Sequence, residues 1–260
     1  AQFPDNLVQF LRQHFRNAPP MMPEAITPVD FNQYADEYDQ LLEQGLAVSG
    51  EGKEYFARGR IDWLKACTDK LGLNPRRIMD YGCGTGMAAV LLREGFHAES
   101  VMGIDPSAKL IEMANRAYGT STIKFQRIQQ YRPQEEIDLV YCSGVFHHIP
   151  IINRLATARY VWQSLQPGGI FVFWENNPWN PGTRYVMSRI AFDRDAITLT
   201  SSEAKKLLKA AGFAILRTDY LFVFPRLLKA LRSLEPLMSR LPFGTQYQVL
   251  CQKPLEQKEV

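Results

Sequence analysis

The sequence has few cysteines and no long hydrophobic run. The four cysteines, Cys67, Cys83, Cys142 and Cys251, are scattered, and none forms the short C-x-x-C pair of a zinc or redox site. No apolar stretch reaches the roughly 18 residues that a membrane-spanning helix needs. The first residues also lack the basic and then apolar pattern of a secretion signal. These absences predict a soluble, cytoplasmic protein with reduced thiols.

An excess of charge of one sign is also lacking. Thirty Lys and Arg residues oppose 27 Asp and Glu residues, so the formal net charge is +3, and the excess lies within 226–240. This balance gives no basis for a nucleic-acid surface. Hydrophobic residues make up 46% and charged residues 22% of the 260 residues, which excludes disordered and collagen-like chains.

Two kinds of hydrophobic spacing divide the chain. Helical spacing is found at Asp5–Asn17, over 31–42 and over 55–71, where Gly72 ends it. From residue 76, helical stretches alternate with short apolar runs. Strands are predicted over 78–81, 100–104, 123–125, 137–142, 169–174, 213–222 and 246–251. This alternation predicts an α/β domain with a mostly parallel sheet, whose ligands lie beyond the carboxyl ends of the strands.

The first strand runs into a glycine loop, Asp80-Tyr81-Gly82-Cys83-Gly84-Thr85-Gly86, and then a helix. Glycines let backbone approach a ligand closely, and a helix N-terminus offers free N–H groups. The dinucleotide fingerprint would need glycine where Met87 stands, which disfavours a nicotinamide-dependent oxidoreductase. The second strand ends at Asp105, which can accept both hydroxyls of a ribose.

This combination resembles class I S-adenosylmethionine-dependent methyltransferases over about residues 30–255. The resemblance is carried by 78–86, 103–106, 137–150 and 165–175, the last with its Leu-Gln-Pro-Gly-Gly turn. It implies a three-layer, doubly wound α/β fold of seven strands with a reversed last strand. We expect a helical cap over 1–75 and the cofactor domain over 76–260, in a single folding unit.

The resemblance implies contacts with S-adenosylmethionine, which becomes S-adenosylhomocysteine after transfer. The residues expected at the cofactor are Asp80 at its amino group, Gly82, Cys83, Gly84 and Gly86 at its methionine part, Asp105 and Pro106 at its ribose, and Cys142 and Ser143. The family often has an acid that binds the adenine, but Ile128 stands at that position. Apolar contact with Ile128 and backbone around Gln129 would then hold the adenine.

The N-terminal part contains aromatic residues that resemble a cofactor-covering segment of the family. Tyr38 is expected at the cofactor and Tyr34 at the acceptor, with packing at helical spacing as the alternative for both. Arg60 could meet the cofactor carboxylate through its guanidinium group. A solvated surface charge is the alternative for Arg60.

Candidate catalytic groups follow the fourth and fifth strands. His147, His148 and Glu175 are candidate bases, and we expect the adjacent histidines to point in different directions. No cysteine or acid stands near them at ligand spacing, so no metal site is predicted. Asn176, Asn177 and Trp179 could bind a hydroxyl-rich or cyclic acceptor, and an Asn-Pro turn without substrate contact is the alternative.

The segment 226–241 forms a helical insertion with leucines at helical spacing and basic residues between them. We expect it to pack on the domain, and a membrane-surface role is the alternative. The expected function is methyl transfer to O or N of a small-molecule or glycan-like acceptor by a monomer or homodimer. A protein or RNA acceptor and a non-catalytic cofactor-binding module are the alternatives.

Overall fold

A computed structural model describes residues 30–255, so the helix predicted at Asp5–Asn17 lies outside the described residues. The α-helices of the described chain are α1 (Tyr38–Leu46), α2 (Lys53–Lys70), α3 (Met87–Phe96), α4 (Ala108–Tyr118), α5 (Ile151–Ser164), α6 (Pro181–Arg189), α7 (Ser201–Ala210) and α8 (Glu235–Met238). Single turns of 3₁₀ helix cover Ala47–Ser49, Ile128–Gln130 and Phe146–His148, and a longer one covers Arg226–Leu234.

Seven strands form one mixed sheet in the order β3-β2-β1-β4-β5-β7-β6. The strands are β1 (Arg77–Tyr81), β2 (Ser100–Asp105), β3 (Ile123–Arg127), β4 (Ile137–Ser143), β5 (Leu165–Asn176), β6 (Ala214–Leu221) and β7 (Gln246–Gln252). The first five strands run parallel, and β7 runs antiparallel to both β5 and β6. The predicted doubly wound sheet with a reversed last strand is therefore confirmed.

Helices cover both faces of the sheet and create two hydrophobic cores. Strand β4 shows why its run is apolar throughout: Leu139 and Tyr141 enter one core, whereas Val140 and Cys142 enter the other. A parallel strand buried on both faces cannot alternate apolar with polar residues. All four cysteines are buried and unpaired. No helix within residues 30–255 combines the length and apolarity that a bilayer span requires.

Three local predictions differ from the structure. Residues 31–37 form turns, and α1 begins only at Tyr38. The predicted turn at 165–169 belongs to β5, where the pairing with β4 shifts register between Ile137 and Leu139. Helix α6 was not predicted, because Asn180-Pro181 read as a turn. The Asn180 side chain instead caps the helix by accepting the N–H of Thr183 at 3.1 Å.

The segment 226–241 departs most from expectation. It is a 3₁₀ helix with a kink at Leu228, followed by the short α8, and neither helix contains a buried residue. The segment does contact the domain, as Arg232 does at Glu51, but its leucines are exposed instead of lying against the core.

Candidate active site

The glycine loop after β1 adopts a backbone that favours glycine. Gly82, Gly84 and Gly86 have φ values of +73°, +53° and +89°. A Cβ on Gly82 would lie 2.4 Å from a methyl carbon of Val145. A Cβ on Gly86 would meet the buried side chains of Phe125 and Ala114, and the cofactor contact of this residue stays a prediction. Gly86 therefore allows close packing beneath the loop.

Two buried carboxyl groups flank this loop. Asp105 accepts the N–H of Gly84 at 3.1 Å and the N–H of Ser107 at 2.8 Å, and burial raises its pKa to about 6. Burial and the nearby charge of Asp105 raise the pKa of Asp80 to about 7. Oδ2 of Asp80 has no hydrogen-bond partner among residues 30–255. An unpartnered buried oxygen is costly, so it indicates a position that a ligand donor can satisfy.

Three neighbouring cavities lie at the carboxyl ends of the strands. The Asp105 cleft, with a volume of about 60 Å³, is lined by Pro106 and Ile128 as well as Asp105. The Asp80 cleft, with a volume of about 110 Å³, is lined by Arg60 as well as Asp80. The histidine cavity (about 210 Å³) contains His147, His148 and Asp193. Tyr38 and Ser143 border all three cavities, and His148 borders both the histidine cavity and the Asp105 cleft.

Most residues expected at the cofactor line these clefts. Cys83 lines the Asp80 cleft. Arg60 is half-buried, and it donates from Nε to the Tyr141 hydroxyl and from Nη1 to the Gln246 side chain, both at 3.0 Å. The surface-charge alternative for Arg60 is therefore wrong.

Three expected contact residues lie elsewhere. The Cys142 side chain is buried in a hydrophobic core, and Gln129 is exposed, with its carbonyl accepting a hydrogen bond from Arg132. Tyr34 packs edge-on against Phe192 at 5.9 Å between ring centroids. None of the three lines the described cavities. Packing is therefore the role that the structure shows for Tyr34.

A buried cluster of two histidines and two acids borders the histidine cavity. Nδ1 of His147 lies 2.6 Å from Oε2 of Glu175, and Oε1 of Glu175 accepts the N–H of Phe146 at 2.7 Å. Oδ1 of Asp193 lies 3.1 Å from Nε2 of His148 and 3.4 Å from Nε2 of His147. Both rings thus reach one carboxylate, so the expectation that they point in different directions is wrong.

The two histidines carry different charges at neutral pH. Burial lowers the pKa of His147, but the charge of Glu175, its hydrogen bond with Glu175 and the nearby carboxylate of Asp193 outweigh it and raise the pKa to about 10. Burial and repulsion from His147 lower the pKa of His148. The pKa of Glu175 and that of Asp193 are lowered, because the charge and hydrogen bonds of His147 outweigh burial. His147 is therefore an imidazolium, and His148 is a neutral imidazole.

Asp193 is the functional candidate that the sequence did not reveal. Asp193 follows α6 and lies 45 residues after His148 in the sequence, so no local sequence motif links it to the histidines. In the described part of the chain, His147, His148 and Asp193 place ligand-type atoms within 4.8 Å of one another, although no metal site was predicted. The pairing of Asp193 with both rings accounts for this arrangement.

The three residues expected to bind the acceptor separate in the structure. Asn176 borders the histidine cavity. Asn177 is only 1% exposed, and its amide donates to the carbonyls of Pro242 and Gly244 at 3.0 and 2.8 Å. Trp179 is 74% exposed and lies outside the described cavities. Asn177 therefore fixes the loop, and its expected acceptor contact is wrong.

Known proteins agree with this architecture. Residues 51–218 match a family described as "Methyltransferase domain". Trans-aconitate 2-methyltransferase of Rhodopseudomonas palustris is 27% identical over 119 residues, 46% of each chain. An uncharacterized methyltransferase of Geobacillus thermodenitrificans is 31% identical over 147 residues, 55% of this chain and 63% of that one. The chain thus spans about half the length of the first of these curated relatives.

Solved structures show the same fold. An S-adenosylmethionine-dependent methyltransferase from Mesorhizobium loti has a TM-score of 0.53 and 24% identity, covering 70% of this chain and 94% of that one. The [4+2]-cyclase SpnF has a TM-score of 0.57 and 17% identity, covering 88% and 98%. These likenesses support the fold alone.

The clefts fit the cofactor of this family. An ammonium group suits the unpartnered oxygen of Asp80, and a ribose diol suits a buried carboxylate such as Asp105. Ile128 and Pro106 supply apolar walls for a planar base. The family match and the seven-stranded sheet together show that the chain belongs to the methyltransferase-domain family and has the class I methyltransferase fold, whose cofactor is S-adenosylmethionine.

Proposed function

We propose that this enzyme transfers a methyl group to an oxygen or nitrogen atom of a small-molecule or glycan-like acceptor bound in the histidine cavity. The observation that carries the proposal is the shared border of the three cavities. Tyr38 and Ser143 face all of them, so a ligand in the histidine cavity adjoins both clefts. Such proximity is the main requirement of an in-line displacement.

The proposed cofactor contacts follow the clefts. Asp80 binds the amino group, Arg60 the carboxylate, Asp105 the ribose and Ile128 the adenine. When bound, S-adenosylmethionine supplies an activated methyl group on a sulfonium. Tyr38 stacks on Phe192 with ring centroids 5.0 Å apart and planes at 11°, which helps to exclude water from this region.

His148 is the better candidate base, in place of His147 or Glu175. An imidazolium cannot accept a proton, whereas neutral His148 can, and Asp193 orients its ring and stabilises the charge that forms. His147 then holds Asp193 and Glu175 in position as a positively charged centre. The proton that leaves an acceptor hydroxyl or amine passes to His148.

The lining of the histidine cavity supports a small acceptor. Its apolar walls come from α1 and α6, with Leu42, Val186 and Ile190, while Asn176 and Gln246 offer amide groups. Its volume of about 210 Å³ suits part of a small molecule. A protein or RNA acceptor would call for an exposed basic or aromatic groove, which the described cavity does not resemble.

Methyl transfer to a panel of hydroxyl and amine acceptors, measured with isotopically labelled cofactor, tests the proposal. We expect His148→Gln to lower kcat about 100-fold or more and to change the affinity for S-adenosylhomocysteine far less, because His148 only borders the Asp105 cleft. His97→Asn is the matched control, because His97 is exposed and remote from the cavities. Normal turnover by His148→Gln would show that His148 is not the base. If no acceptor in the panel is methylated, the proposed methyl transfer itself is contradicted.

A further inference from the structure

The segment 226–243 presents its apolar side chains to solvent. Arg232 pairs with Glu51 at 2.8 Å, and Glu235 accepts the N–H of Phe224 at 2.9 Å. These polar contacts fasten the segment to the domain. A surface amphipathic helix normally does the reverse, with its apolar side on the core. The segment is therefore held in place with its apolar side free.

We call the exposed apolar side of this segment the leucine band. Its members are between 41% and 92% exposed and are Leu227, Leu228, Leu231, Leu234, Leu237, Leu241 and Phe243. Trp179 lies beside it, because the neighbouring Asn180 donates to the carbonyl of Phe243 at 2.7 Å. Arg226 and Lys229 are exposed within the segment. Leucine, indole and basic side chains together suit an anionic membrane surface.

A second apolar feature lies beside the segment that carries the leucine band, with Arg232 in its lining. This side pocket has a volume of about 460 Å³, and its hydrophobic lining includes Val48, Tyr55, Phe56, Tyr185, Phe222 and Phe224. Its two charged residues, Glu51 and Arg232, pair with each other. A pocket with apolar walls and neutralised charges suits a hydrocarbon chain.

The side pocket connects the leucine band to the reaction region. Pro225 and Arg232, at the start and middle of the segment that carries the band, line the side pocket. Phe56 and Val186 line both the side pocket and the histidine cavity. The side pocket therefore adjoins both the segment that carries the leucine band and the cavity in which an acceptor would meet the cofactor.

We propose that the acceptor is a lipid or lipid-linked molecule whose hydrocarbon chain lies in the side pocket. The leucine band seats the enzyme on an anionic membrane surface, from which the chain enters. This inference rests on the proposed function and names its substrate class. A polar head in the histidine cavity and a tail in the side pocket would use both cavities at once.

Vesicle co-sedimentation of the full chain tests the membrane contact. We expect binding to phosphatidylcholine vesicles that contain phosphatidylglycerol, and weaker binding without it. The double variant Leu227→Ser/Leu237→Ser should bind these vesicles at least about tenfold more weakly than the wild type, because it removes two of the most exposed leucines. The matched control is Ile151→Ser/Ile152→Ser, which removes an equally exposed apolar pair outside the band and should bind as the wild type does.

Calorimetry with n-decanol tests the side pocket. Val48→Trp narrows this pocket without touching the histidine cavity and should weaken decanol binding about tenfold. Leu71→Trp, at an exposed position outside the described cavities, should leave it unchanged. Both variants should bind S-adenosylhomocysteine normally. Equal decanol affinity in Val48→Trp and wild type would overturn the chain-binding role.

The outcomes separate this inference from the proposed function. If no variant binds vesicles while a water-soluble acceptor is methylated, the inference fails and the proposed function stands. If vesicles bind but no acceptor of any kind is methylated, the proposed function fails. A wild-type dimer that Leu227→Ser/Leu237→Ser converts to monomer in light scattering would make the band an interface between copies and overturn the membrane contact.

Discussion

The proposed cofactor side of the site, around Asp80 and Asp105, and the proposed acceptor side, around the histidine cavity, are built in different ways. The cofactor side uses backbone turns from one contiguous stretch, 80–86, together with Asp105 one strand away. The acceptor side brings together side chains from distant positions, such as His147, Glu175 and Asp193. The first depends on glycines with positive φ, of which Gly82 and Gly86 also leave no room for a Cβ, whereas the second depends on paired charges.

The buried acids of the two sides also differ in charge state. Asp80 has an oxygen without a partner and a pKa raised to about 7 by burial and by Asp105. Glu175 is fully engaged by His147 and by the N–H of Phe146, which keep its pKa low. Asp80 therefore offers an unpaired oxygen to a positively charged ligand, whereas Glu175 is already paired with the imidazolium of His147.

A pair of glycine variants provides the strongest test of the difference between the two sides. Gly82→Ala and Gly72→Ala both place a Cβ on a residue with φ near +70°, so both carry backbone strain. The added carbon meets Val145 at 2.4 Å only in Gly82→Ala and has no atom within 4 Å in Gly72→Ala. We expect calorimetry to show at least about 100-fold weaker S-adenosylhomocysteine binding for Gly82→Ala and none of that loss for Gly72→Ala. Equal losses would show that strain alone matters.

The charge-state difference predicts unequal effects of two isosteric changes on the free energy of unfolding. Glu175→Gln leaves the imidazolium of His147 without its closest partner and should lower the free energy of unfolding by about 3 kcal/mol. Asp80→Asn removes a carboxyl group whose charged form burial disfavours, so it should change the free energy of unfolding by less than about 1 kcal/mol. Urea denaturation at neutral pH measures both. Similar losses in the two variants would contradict the charge assignment.

A smaller effect is expected in the pH dependence of cofactor binding. Asp80 can pair with an ammonium group only when ionised, so affinity for S-adenosylhomocysteine should rise through about pH 7, by up to about tenfold per pH unit below it. The folded pKa of Asp80 is raised, so its contribution to unliganded stability is present at acid pH and is lost as the pH rises through about 7. Asp80→Asn should flatten the affinity profile, and an unaltered slope in calorimetry would exclude Asp80 as its source.

The sequence predicted the cofactor side because its signals are local. A glycine loop and a strand-end acid are read from neighbouring positions, and β1 and β2 pair in register to bring them together. Asp193 could not be predicted in this way. It reaches His147 and His148 only because α6 and the turn after it fold back over the β4 and β5 ends.

Periodicity was least informative where polar contacts decide the orientation of a helix. The leucine spacing of 226–241 indicates an amphipathic segment, but not which side faces the domain. The pairing of Arg232 with Glu51 and the hydrogen bond from Phe224 to Glu235 hold the polar side inward. Neither Glu51 nor Phe224 belongs to the segment, so its own sequence could not reveal its orientation.

Tyr38 has a consequence for the kinetic order of the reaction. Its ring borders both cofactor clefts and the histidine cavity and is stacked against Phe192. The Tyr38 side chain thus forms a wall shared by the proposed donor and acceptor sites. A shift of this side chain on binding of the first ligand would change the shape of the cavity that receives the second. Steady-state rates should therefore follow a sequential scheme with interdependent Michaelis constants, instead of two independent binding steps.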